Sequence, residues 1–121
     1  MASQQTIRAG DTSDVWEIGL VTSPVGTKPP IYAALGVGDS CWLTVPGAFP
    51  PIAREVTAKD VSGRLFLAWL TPAETLALFN QRPGAWQIGL ELRMPGLVPA
   101  LVREIDPAPV VKIVAGLVPP A

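Results

Sequence analysis

The chain has 121 residues, with nine Lys+Arg against ten Asp+Glu and a formal net charge of −1. A chain this size is one domain's worth, and it buries roughly two-thirds of the surface its unfolded form exposes, so it needs no metal or disulfide staple. His is absent and Cys41 is the one cysteine, which excludes His-based catalytic triads, His-ligated metals, an internal disulfide and a Cys-cluster metal site.

Gln4 to Arg8 reads as a short first strand, followed by the polar turn Gly10-Asp11-Thr12-Ser13-Asp14. Trp16, Ile18 and Leu20 then alternate with Glu17 and Gly19, the period of a strand with one buried face. Thr22 to Pro30 holds three Pro and is a loop. Ile31 to Leu35 is expected as a brief strand. Cys41 to Val45 is rich in strand formers and stops at Pro46-Gly47. Ile52 to Thr57 puts Ile52, Arg54 and Val56 on one face, as a weakly sided edge strand does.

Arg64 to Leu70 contains six apolar residues in a row, which predicts a strand buried on both faces. The spacing then predicts a helix over 72–80. Thr71 is an N-cap, Pro72 fits the first helical position, and Glu74 lies three residues after Thr71 to close a capping box. Pro83-Gly84 ends it. Ala85 to Met94 is predicted as one long strand, with Trp86, Ile88, Leu90, Leu92 and Met94 pointing inward. Met94-Pro95-Gly96 fits a type II turn, with Pro at i+1 and Gly at i+2. Leu97 to Ile105 returns, and Val110 to Val114 makes a last strand before a Pro-rich tail at 116–121. Short strands with turns every 8 to 12 residues, plus one helix, indicate an all-β sandwich or small barrel occupying residues 1–121 as a single domain.

Little in this pattern carries chemistry. A nearly neutral chain has no electrostatic footprint for phosphate, so no nucleic-acid partner is expected. No run of 18 apolar residues is free of Pro, Gly and charge, and Met1 to Gly10 has no apolar core, so neither a membrane span nor a signal peptide is expected. Cys41 lies in an apolar run and reads as a buried structural thiol. Asp11 and Asp14 lack the regular oxygen spacing of a hard-cation loop and read as turn residues. Glu91 and Glu104 can face each other across the last hairpin, as a glycosidase pair does, but solvated roles beside Arg93 and Arg103 fit better. No cofactor, metal or small-molecule substrate is expected.

Surfaces are more informative. Trp16, Trp69 and Trp86 sit in apolar-patterned strands and read as core. Trp42 points away from Cys41, Leu43 and Val45 and is a candidate contact residue. The Pro-rich segments are pre-ordered and lose little entropy when a partner fixes them. Expected interface residues are therefore Trp42, Phe49, Pro50, Pro51, Pro29, Pro30, Val118 and Pro119.

Three signals recur in an ordered series: Gly10-Asp11-Thr12 before the first alternating strand, Leu70-Thr71-Pro72-Ala73-Glu74-Thr75 at the helix start, and Gly84-Ala85-Trp86-Gln87-Ile88-Gly89-Leu90 opening the next strand. In this the chain resembles small tailed-phage and prophage structural proteins with an immunoglobulin-like β-sandwich. It is similar to the N-terminal module of siphophage upper baseplate proteins. The resemblance implies an immunoglobulin-like antiparallel sandwich with one short helix. It also implies a non-enzymatic bacteriophage virion protein, assembled in the host bacterial cytoplasm, that docks subunits in the tail, baseplate or head-to-tail region. Its expected partners are copies of itself, as a homo-oligomer in a symmetric assembly, and other virion proteins. A head decoration protein and a free-standing binding module, receptor-recognising or inhibitory, are the alternatives.

Overall fold

The computed structural model describes residues 4–105 and 108–116. The elements are β1 (Gln4–Arg8), β2 (Trp16–Ile18), β3 (Ser40–Val45), β4 (Ile52–Val56), β5 (Phe66–Ala68), α1 (Pro72–Gln81), β6 (Gly84–Gln87), β7 (Gly89–Met94), β8 (Leu101–Glu104) and β9 (Val110–Val114). A four-stranded antiparallel sheet has the order β4-β3-β7-β8. A three-stranded sheet has the order β1-β9-β6, with β1 parallel to β9, and β2-β5 form an antiparallel pair. The result is an all-β sandwich with one short helix.

The expected long strand 85–94 is two strands in two different sheets. Trp86 pairs with Val111 of β9, whereas Leu90 pairs with Leu43 of β3. The hydrogen-bonding partner changes at Ile88, whose N–H reaches the Pro109 carbonyl at 2.9 Å. The side-chain alternation runs through the change without a slip: Trp86, Ile88, Leu90, Leu92 and Met94 are all buried. Periodicity reports which way side chains point and is blind to which sheet takes the backbone. Around this strand the core collects Cys41, Leu43 and Val45 from β3, Ile18, Phe66, Val111 and Ile113 from the smaller sheets, and Leu78 from the helix.

Other boundaries also shift. Residues 31–35 form no strand, only an isolated bridge from Tyr32 to Val21. The apolar run 64–70 yields a three-residue strand in which Phe66 and Ala68 are buried and Leu67 is half-buried, so it is not covered on both faces. Residues 95–100 are exposed loop, and strand pairing resumes at Leu101. Gly96 is not among the glycines with positive φ, so the turn over residues 94–97 is not type II.

The helix begins where the sequence places it and ends one residue later, at Gln81. Thr71 Oγ1 accepts from Glu74 N–H at 3.2 Å, and Glu74 Oε1 accepts from Thr71 N–H at 2.9 Å. The same carboxylate takes Arg54 of β4, with Nε 2.9 Å from Oε2 and Nη2 3.0 Å from Oε1. Arg54 Nη2 also donates to the Trp69 carbonyl. Burial raises the Glu74 pKa, but the Arg54 and Thr71 hydrogen bonds and the Arg54 charge outweigh it, and the carboxyl ends below its ordinary value. Two buried polar residues fasten the start of the chain to this junction. Thr75 Oγ1 accepts from Gly10 N–H at 3.1 Å, and Ser13 Oγ accepts from Leu70 N–H at 2.8 Å.

Two expected outcomes follow from this packing. Ile88→Ala or Leu90→Ala lowers stability by about 2–5 kcal/mol in chemical denaturation, as other large-to-small core changes do. Thr71→Ala lowers it by about 0.5–2 kcal/mol through loss of the cap. Because the Glu74 pKa is depressed on folding, its contribution is complete above the unfolded carboxylate pKa. It is lost as pH falls through the folded value. Glu74→Gln therefore reduces stability at neutral pH and flattens its decline on acidification, which denaturation curves across the acidic range measure.

Candidate functional site

Strand register places four loops at one end of the sandwich. Ser40 opens β3 opposite Arg93 near the end of β7, so the 36–39 turn and the 95–100 loop are neighbours. A Cβ on Gly38 would lie 3.8 Å from Pro95 Cγ. Leu35 N–H donates to the Gly63 carbonyl at 3.0 Å, which brings in the 60–63 turn. The Arg64 guanidinium donates to the Tyr32 carbonyl, which adds the hairpin carrying residues 22–31.

Each of these loops ends in an apolar side chain that water surrounds. Val25, Val37, Val61 and Val98 are fully exposed, Val61 at 108%, and Ile31 is exposed beside Val25's loop. The backbones beneath Val25, Val37 and Val61 are pinned. Asp39 Oδ2 accepts from Gly36 N–H at 2.7 Å, and Ser23 Oγ accepts from Ile31 N–H at 3.0 Å. Asp60 accepts from the Ser62 hydroxyl and from the N–H groups of Arg64 and Leu65. The Ser62 hydrogen bond leads, and with the backbone donors it overcomes desolvation to lower the Asp60 pKa. Gly63, at φ +69°, supplies the left-handed residue that closes this turn.

Among the described residues the expected interface residues fall in three places, the third being Trp42 on the face of the four-stranded sheet. Pro29 and Pro30 are exposed in the 22–31 hairpin and so belong to this apolar end. Phe49, Pro50 and Pro51 are exposed at the opposite end, in the loop from β3 to β4, with Phe49 85% exposed. Phe49 N–H donates to Gln81 Oε1 at 2.7 Å, which ties that loop to the last turn of α1. Val118 and Pro119 lie outside the described residues. Val37, Val61 and Val98 were not expected. Each is an apolar residue enclosed by turn formers (Gly36 and Gly38, Asp60 and Ser62, Pro99), and a hydrophobe inside a turn is the signal that finds such positions.

Trp42 occupies the outer face of the four-stranded sheet, half-buried. The register sets Glu55, Trp42, Glu91 and Glu104 in one row across four strands. Arg93 pairs with Glu91, and its guanidinium carbon lies 5.6 Å from the Trp42 ring centroid. Arg103 faces the other side of β8 from Glu104, so the expected pairing of Glu104 with Arg103 does not form. Beside the row, Gly89 keeps a groove of about 280 Å³ open. A Cβ there would come within 2.4 Å of Thr44 Oγ1.

The remaining tryptophans divide. Trp86 is buried, its Nε1 donating to the Arg82 carbonyl at 3.0 Å. Trp16 and Trp69 are half-buried at the rim of the core. Burial, with the Glu91 charge as a smaller contribution, pushes the Cys41 thiol up to about 11, so it is no nucleophile at neutral pH. Among the described residues no group of three or more His, Cys, Asp and Glu side chains is placed to hold a metal ion, and no helix is long and apolar enough to cross a membrane.

The exposed valines touch no core, so Val37→Ser and Val61→Ser are expected to leave unfolding free energy within about 0.5 kcal/mol of the wild type, as measured by denaturant titration. A scan against protein-family models found no match to the chain, and searches of curated proteins and of solved structures found none either.

Proposed function

We propose that the chain is a structural subunit of a tailed-bacteriophage virion, an immunoglobulin-like module that docks neighbouring proteins in the tail, baseplate or head-to-tail region and performs no chemistry. One observation carries the docking part: the apolar loop tips gathered at one end. Exposed aliphatic side chains cost solvation, and an unpartnered monomer gains nothing by fixing them on hydrogen-bonded turns. A partner gains from both features. Burying the tips releases their hydration, and the pinned loops have little conformational entropy left to lose on binding. The placement in a phage particle rests on the sequence resemblance and adds the setting in which such surfaces repeat.

Tailed-phage particles purified from the source of the chain's gene provide the test. Immunoblotting with antibody raised against the chain is expected to find it in the particles. A Val37→Asp, Val61→Asp double variant is expected to fold but to be missing from them. A chain found wholly outside the particles, or a double variant incorporated as well as the wild type, overturns the reading.

A further inference from the structure

The two sheets turn oppositely charged faces outward. On the four-stranded sheet the outward row is Glu55, Trp42, Glu91 and Glu104, with Arg93 the one cation beside it. Glu91 and Glu104 stand directly opposite each other, an arrangement that destabilises a strand pair unless a cation intervenes. Arg93 is committed to Glu91. On the three-stranded sheet the outward cations are Arg8 and Lys112, and β1, β6 and β9 contain no Asp or Glu. Asp11, in the turn after β1, shares a groove with Arg8. Lys112 stands between small neighbours, Thr6 on one side and Ala85 on the other. One face is thus a lysine rising from low ground, and the other is an acidic groove lined by Trp42 and held open by Gly89.

We propose that these faces are each other's partner: the Lys112 face of one copy docks on the Trp42 groove of the next. The ammonium group meets the Glu104 carboxylate, beside the Arg93–Glu91 pair that already lies over the indole, and ion pairing holds it there. The contact is heterologous, since the two surfaces are different, so it extends beyond a dimer and either closes into a ring or runs on as a stack. This deepens the docking reading above and rests on it for its setting. At strand spacings of ~4.8 Å and a rise of ~3.3 Å per residue, the smaller face covers roughly 250 Å². That is well under the share of a stable pair, for which about 1,000 Å² in total is needed. The contact is therefore weak in solution and gains strength by repetition.

Sedimentation velocity of the full chain over a concentration series tests the pairing. At low salt the weight-average sedimentation coefficient is expected to rise with concentration, and high salt is expected to return it to the monomer value. Lys112→Glu alone and Glu104→Lys alone are each expected to stay monomeric. Mixed in equal amounts they associate again, because each supplies the face that the other lacks. Both sites are exposed, and circular dichroism verifies that the variants fold. A wild type that is monomeric throughout, or a Lys112→Glu variant that associates like the wild type, overturns the pairing. Association that Val61→Asp removes and Lys112→Glu does not also overturns it, while leaving the docking reading in place.

Discussion

The sandwich depends on one stretch of backbone serving two sheets. Residues 84–94 leave β9 and join β3 across a single residue, Ile88, while their inward side chains keep strict alternation. The two layers are joined by covalent continuity as well as by packing. Everything else adjusts to that strand. β3 and β8 flank its second half, β9 flanks its first, and the helix delivers Leu78 to the same core. A slip of one residue would turn every inward side chain toward water in both sheets at once. Register is therefore specified twice by one segment.

The junction between β5 and the helix is the second fixed point. Glu74 caps the helix and also receives Arg54 from the edge strand β4. An arginine on the inner side of an edge strand is costly unless its donors are used, and here they meet the carboxylate and the Trp69 carbonyl. A local capping motif thereby becomes a tertiary tie between the helix and the four-stranded sheet.

Local signals were the legible part of the fold. The capping box and the inward set Trp86 to Met94 could be read directly, because each is fixed by residues a few positions apart. The strand pattern of β3 and the outward direction of Trp42 were equally plain. What could not be read depended on distant partners. Nothing within 85–94 says that the hydrogen-bonding neighbour changes at Ile88, since that is decided by where β3 and β9 lie. Residues 31–35 have strand-forming side chains but only one bridging partner. The apolar run 64–70 looks fully buried because composition cannot show that Leu67 and Trp69 lie at an open margin. The surfaces divided in the same way. Pro29, Pro30 and the Phe49 loop stood out by composition. The gathering of Val37, Val61 and Val98 at one end required the topology that brings four loops together.

Cys41 gives this architecture an internal clock. Its thiol lies on the inward side of β3, the strand between β4 and β7, fully buried and protonated at neutral pH. A thiol reagent reaches it only when the cover around β3 opens, so labelling waits for local separation of that strand from its neighbours. Under conditions where closing outpaces reaction, the labelling rate gives the free energy of that opening. The absence of any other cysteine assigns every event to one position. The same measurement on assembled material would report how far contacts made at the loop tips, and at Trp42 on the outer side of the same strand, slow its breathing.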